Sequence, residues 1–171
     1  PYDIKRTIKT YKKSIIKYPN IKSNDIVLGR IAQNDEGSWS PKIIDVFENL
    51  LKYDCNFSLV LLGASNSVIE KAKKSKFRSK IKLINKTNDQ DYLFSIYNSI
   101  DIFVHISAYG ETFGKVILEA LFTGSYVVVL NTPWSSIGHK FYKYKNEKLI
   151  HVNRITKIKD AILDIKKNKQ N

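Results

Sequence analysis

Ser107-Ala-Tyr-Gly-Glu-Thr-Phe-Gly-Lys-Val-Ile-Leu-Glu-Ala-Leu-Phe-Thr-Gly124 is the stretch on which the fold turns. It follows an apolar run, Ile102-Phe-Val-His-Ile106, and passes through a turn bracketed by Gly110 and Gly114. Helical apolar spacing (Phe113, Val116, Ile117, Leu121) then carries the chain to Gly124, and a second apolar run, Tyr126-Val-Val-Val-Leu130, begins at once. Strand, turn, helix and strand in this order are the repeating unit of a parallel sheet. Within the unit two carboxylates, Glu111 and Glu119, stand eight positions apart. On a helix that spacing would cover about 12 Å. Such a length suits gripping different parts of one extended ligand better than sharing a proton or a metal.

The same alternation extends outward in both directions. Upstream, helical spacing over Asp3–Tyr18 stops at Pro19-Asn20, and Asp25–Gly29 reads as a strand ending at Gly29-Arg30. Ser40-Pro41 gives a helix cap followed by proline at the first helical position, with Ile43, Ile44, Phe47, Leu50 and Leu51 marking one face. Phe57–Leu62 is a second strand closed by Gly63, and Ser65 or Asn66 caps a short helix to Lys74. Ile81–Ile84 is a third strand and Asp89–Asn98 a helix with Tyr92, Leu93, Ile96 and Tyr97 inward. Downstream, Leu149–Val152 reads as a sixth strand and Ile155–Lys167 as a closing helix. The expected fold is α/β: one doubly wound, Rossmann-like parallel sheet of about six strands with helices on both faces, a single domain over 1–171.

Composition narrows the class. The hydrophobic fraction of 43% is that of a globular chain. Pro1 at the start and the absence of Met set the expectation that it is a fragment of something longer. A single cysteine, Cys55, excludes an internal disulfide and fits a reducing compartment. No apolar run nears the roughly 18 residues of a membrane span, and nothing at the start resembles a signal peptide. The expectation is therefore cytoplasmic, with peripheral contact with an anionic membrane left open. Net charge is +13, gathered in Lys5–Lys17, Lys71–Lys82 and Lys157–Lys169. Solvated helix faces account for most of it, and no stacking-aromatic or helix-turn-helix pattern speaks for nucleic acid.

In a doubly wound fold, ligands bind beyond the carboxyl ends of the strands. Those ends here are Gly29-Arg30, Gly63-Ala64-Ser65, Ile84-Asn85, Ser107–Gly114 and Asn131–Ser136. Arg30 is suited to gripping a diphosphate, or is a surface arginine after a turn. The helix start after Gly114 offers amides and a dipole to an anion, or is an ordinary helix entry. Glu119 can accept hydrogen bonds from two vicinal hydroxyls. There is neither a GxGxxG fingerprint nor a P-loop, and Asp89-Gln-Asp91 reads as a helix cap rather than a metal pair. His105 is expected packed, His139 and His151 at the surface, and Cys55 without a role.

Taken together, Tyr97–Ser107, Gly110-Glu-Thr-Phe-Gly114, Leu118-Glu-Ala120, Gly124 and Val127-Val-Val129 closely resemble the nucleotide-sugar-binding half of GT-B glycosyltransferases. The nearest group is the glycosyl transferases group 1 family (family 4). Pro1-Tyr-Asp3, Gly29-Arg-Ile31, Leu62-Gly63 and Thr132-Pro-Trp-Ser135 resemble further family segments, so the likeness spans roughly residues 1 to 165.

The resemblance implies the C-terminal, donor-binding domain of a retaining glycosyltransferase that uses a UDP- or GDP-type sugar, with no metal and no other cofactor. The acceptor site would lie in an N-terminal domain absent from this sequence, so this domain alone would not turn over. Arg30 would bind the diphosphate and Glu111 the donor sugar. Phe113, Gly114 and Lys115 would offer amides to the phosphates, and Glu119 would hold the ribose. Ile84 and Asn85 would pack on the base, with Ser107, Thr112 and Gly29 lining the same cleft. One departure stands out: relatives carry a phosphate-binding lysine where Glu36-Gly-Ser-Trp-Ser40 has Ser38. Lys42 or Lys115 would have to compensate. The alternative is a catalytically inactive module that binds protein or glycan.

Overall fold

In the computed structural model the chain is described over residues 18, 21–108, 114–131 and 147–170. The described elements, in chain order, are β1 (Ile26–Ile31), α1 (Lys42–Leu51), β2 (Phe57–Leu62), α2 (Asn66–Lys74), a 3-10 turn (Arg78–Lys80), β3 (Ile81–Ile84), α3 (Gln90–Asn98), β4 (Ile102–His105), α4 (Lys115–Phe122), β5 (Tyr126–Leu130), β6 (Leu149–Val152) and α5 (Thr156–Gln170). The expected helix over 3–17 and the residues Glu111, Thr112, Phe113 and His139 lie outside the described residues.

Every strand pairing is parallel, and the six strands lie in the order β3-β2-β1-β4-β5-β6. The winding reverses between β1 and β4, which is where a doubly wound sheet opens a crevice. Alternate strand residues serve opposite faces because successive side chains point to opposite sides. Leu28, Leu59, Leu61, Ile102, Val104 and Val128 pack with Ile43, Ile44 and Phe47 of α1, Val68 of α2, and Ile158 and Ile162 of α5. Val60, Leu62, Phe103, Val127 and Val129 pack with Phe94, Ile96 and Tyr97 of α3 and Ile117 and Ala120 of α4. Helices therefore cover both faces, as the sequence pattern leads one to expect.

Three local features depart from the sequence reading. β1 continues to Ile31, so Arg30 lies inside the strand rather than after it. Pro41, not Ser40, takes the N-cap position of α1, and the carbonyls of Ser40 and Pro41 accept from the N–H groups of Ile43 and Ile44. The N-terminus of α2 begins after Ser65 as expected, but its Ser67 N–H donates to Glu36 Oε1 at 3.1 Å, from the loop after β1. Asp89 caps α3, accepting from Tyr92 N–H at 3.1 Å, as its sequence position suggested. Gly63 closes β2 with φ +71°, and a Cβ there would overlap the carbonyl oxygen of Ala32. Only glycine tolerates both conditions.

Candidate functional site

The carboxyl edge of the sheet at the β1/β4 reversal brings together Arg30, His105, Ser107 and the loop Gln33–Trp39. Arg30 is 1% exposed. Its Nη1 donates to Ile31 O (3.1 Å) and to His105 Nδ1 (3.0 Å), and its Nη2 donates to Ser38 O (2.9 Å). The guanidinium carbon lies 5.6 Å from the Trp39 ring centroid and 5.8 Å from that of Phe103. A charge is tolerated at such depth only when hydrogen-bonded, and planar guanidinium also stacks favourably on aromatic faces. The expected arginine thus faces the core side of the loop that covers it. Direct contact with a ligand requires that loop to shift.

Trp39 is itself buried, with Nε1 donating to Gln33 O at 2.8 Å. Ser38, the residue at the usual lysine position, turns back on its own loop. Its N–H donates to Asp35 Oδ1 at 2.7 Å and its hydroxyl to Asp35 Oδ2 at 2.8 Å. These two bonds, the hydroxyl's first, hold the Asp35 carboxyl below its ordinary value. Gly37 O accepts from Ser107 Oγ and from Ala108 N, each at 3.2 Å. The β1–α1 loop is therefore fastened to the start of the β4–α4 segment.

The second cluster lies at the start of α4. Gly114 adopts φ +70°, ψ 36°, a left-handed conformation that suits glycine, and its carbonyl accepts from Ile117 and Leu118 N–H. One helical turn on, Glu119 is 4% exposed. Tyr97 of α3, wholly buried, donates its hydroxyl to Glu119 Oε2 at 2.8 Å. Lys115 Nζ stands 3.6 Å from Glu119 Oε1, at the i,i+4 spacing, with its side chain 54% exposed. One carboxylate oxygen is thus fixed from within by a neutral donor, and the other faces a half-exposed ammonium at the edge.

The remaining expected residues fall as follows. Gly29 is inside β1, and a Cβ there would overlap the side chain of Ile100, a packing reason for that glycine. Ile84 ends β3 and its carbonyl accepts from Gly63 N at 3.0 Å, while Asn85 is exposed beyond it. Lys42 is the exposed first residue of α1. His105 is buried, as expected, and His151 is exposed on β6, bonded to Asn131 at 2.9 Å. Cys55 is exposed. Among the described residues no cluster of three or more His, Cys, Asp or Glu could hold a metal, and no helix is long and apolar enough to cross a membrane. Sequence reading assigned packing roles to Tyr97 and His105 and so missed that each bonds a candidate site residue. The available signal was a polar tip at an inward position, of α3 for Tyr97 and of β4 for His105.

A parallel sheet in this order, with its polar groups gathered at the reversal, defines a Rossmann-type ligand-binding domain of the α/β class. The chain belongs to the glycosyl transferases group 1 family, whose model matches residues 15–171. A search of curated proteins with the sequence gives no significant match. Solved structures with the same fold include HepE of Anabaena in complex with UDP (TM-score 0.69, 16% identity, 86% of this chain and 41% of that one). The C-terminal domain of LpcC, a group 1 glycosyl transferase of Francisella tularensis, superposes with TM-score 0.67 at 18% identity, covering 84% and 76%. The pneumococcal O-GlcNAc transferase GtfA, in complex with UDP and GlcNAc, gives 0.61 at 16% identity, covering 81% and 27%. The fold is thus one half of GT-B, the C-terminal half. The chain spans 41% of HepE and 27% of GtfA, well under two thirds of either.

Proposed function

We propose that this chain is the donor-binding domain of a retaining, metal-independent glycosyltransferase that moves a sugar from a UDP- or GDP-type nucleotide sugar to an acceptor hydroxyl. The acceptor site belongs to an N-terminal domain, and residues 1–171 form one unit that holds the donor. The observation that carries this reading is the Tyr97–Glu119–Lys115 cluster at the start of α4 in a chain of this family. Tyr97 fixes Oε2, so the outer oxygen, Oε1, is the acceptor offered to a ribose hydroxyl. Lys115 and the amides at the start of α4 lie where a diphosphate would follow the ribose, and their positive potential would stabilise it as leaving group. Glu111, from its place in the sequence, takes the sugar. Solved relatives in complex with UDP support a uridine nucleotide as the first probe.

The test is calorimetric titration of the chain with UDP, GDP and their sugars. One of the nucleotides should bind, and Glu119→Gln should weaken it roughly tenfold, the loss expected for a charge-assisted hydrogen bond. Unchanged affinity in Glu119→Gln would sink the assignment of Glu119. A second reading, a non-catalytic module of the same fold, draws support from one feature: Ser38 is spent on Asp35 and Arg30 is buried beneath it. It predicts no turnover of any nucleotide sugar by a full-length, folded protein.

A further inference from the structure

The contacts around Arg30 close into a ring. His105 Nδ1 meets Arg30 Nη1 at 3.0 Å, and Arg30 Nη2 holds Ser38 O at 2.9 Å. The neighbouring carbonyl, Gly37 O, accepts from Ser107 Oγ and Ala108 N at 3.2 Å. Two peptide bonds from Ser107 lead back to His105. The ring thus joins the ends of β1 and β4 across the crevice where the sheet reverses. Its one side-chain acceptor is the imidazole. A guanidinium has donors only, so Nδ1 supplies a lone pair and His105 is neutral, with its proton on Nε2. Two further Arg30 bonds go to backbone carbonyls, which fix its distance from β1 and from the loop. On β4 the imidazole accepts from its head, beside the Phe103 ring at 5.8 Å.

We propose that His105 is a positioning residue. By accepting from Arg30 it sets the guanidinium, and through the Ser38 and Gly37 carbonyls it seats Ser107-Ala108, the entry to the segment that carries Glu111. Its effect on a ligand rests on the donor-site reading above. A residue that merely fills space would be replaced well by an apolar side chain of similar volume. A residue that acts as an acceptor is replaced only by another acceptor. Asparagine retains an acceptor oxygen, Oδ1, at the position of Nδ1, whereas leucine retains volume and loses the acceptor.

The experiment compares the wild-type chain with His105→Asn and His105→Leu, each first shown folded by thermal melting. In the ligand-free chain, amide hydrogen exchange at Ala108 reports the seat directly, because that N–H donates to Gly37 O. Protection should survive in His105→Asn and fall roughly tenfold in His105→Leu, as local opening costs less once a buried charged bond is lost. Equal protection in all three proteins overturns the proposal. In the second arm UDP is titrated by calorimetry. His105→Leu should bind roughly tenfold more weakly and His105→Asn within about threefold of wild type. Equal losses in both variants, or none in either, overturn positioning by acceptance. A double cycle with Arg30→Gln separates direct from relayed action: additive losses overturn the route through Arg30, and a shared loss supports it. If the wild-type chain binds neither UDP nor GDP, the donor-site reading falls, and the exchange arm still decides whether His105 seats Ala108.

Discussion

At the scale of single residues, the site depends on groups that no surface property would reveal. Tyr97 is the clearest case: its hydroxyl is the inner partner of Glu119, and its ring stacks obliquely on Phe94 and Phe103 at centroid distances of 6.0 and 6.1 Å. Tyr97→Phe keeps the ring and removes one donor from a buried carboxylate. It should cost about 1–3 kcal/mol in chemical denaturation, the penalty of leaving a buried polar atom short of a partner. If Glu119 is the ribose acceptor, the same change should also weaken nucleotide binding, because the carboxylate loses its fixed orientation. Gly29 gives a second residue-scale expectation. A methyl at position 29 would overlap Ile100, so Gly29→Ala should destabilise by about 1–3 kcal/mol through overpacking. Gly29→Ala combined with Ile100→Ala should recover part of that loss in the same denaturation assay. A pair of purely additive losses would mean that Ile100 is not what the methyl meets.

Among the elements, the β1–α1 loop carries an acid-sensitive fastening. Asp35 accepts from the Ser38 hydroxyl and N–H, and Glu36 accepts from the Ser67 hydroxyl and N–H. The hydroxyl bond is the larger cause in each case, and both carboxyls are held below their ordinary values of 3.8 and 4.5. A depressed folded pKa means that the bound state favours the carboxylate. Its contribution is complete above the ordinary value and is lost as pH falls through the lowered one. The indole N–H signal of Trp39, which reports the loop through Gln33 O, should therefore hold steady above pH 4.5 and move below 3.8. In Asp35→Asn with Glu36→Gln that acid step should vanish; a step of undiminished size would assign it elsewhere. This loop also marks where the sequence stopped being legible. β2 and β5 fall where apolar runs place them, because a strand buried on both faces leaves an unbroken run, and the edge strands β3 and β6 keep their expected bounds although Lys82 and His151 interrupt their runs. β1 runs on through Arg30 because the loop and Trp39 provide partners for a charge inside a strand, and those partners are not adjacent in sequence. Gly114, Lys115 and Glu119 were readable as one helix start. The bonds from Tyr97 and His105 span 22 and 75 positions, and periodicity carries no information about such pairings.

For the molecule as a whole, α5 completes the cover of the sheet face that it shares with α1 and α2. Ile158, Ile162 and Ile165 of α5 are buried in the same cluster as Phe47 and Leu50 of α1 and Val128 of β5. Lys166 pairs with Asp54, and Lys169 pairs with Asp101 at 2.9 Å, so the helix is tied to the loops before β2 and β4. Burial raises the Asp54 carboxyl, but the Lys166 bond, the Asn56 N–H and the charges of Lys166 and Lys80 together outweigh it and leave Asp54 below its ordinary value. The Lys169–Asp101 pair is a surface pair of the kind that contributes little and the Lys166–Asp54 pair is only partly buried, so the apolar contacts decide. Burying each isoleucine is worth about 1.5–3 kcal/mol. Three of them together are comparable with the whole stability of a domain, about 5–15 kcal/mol. A chain ended before Thr156 should therefore lose its cooperative melting transition and expose the face around Val128 and Phe47 to a hydrophobic dye. Single substitution Lys166→Met should instead leave the transition in place with a small shift in midpoint. A truncated chain that still melts cooperatively near the wild-type temperature would refute this ranking, and would mean that α1, α2 and the opposite face, with Tyr97, Phe103 and Ile117, hold the sheet without α5.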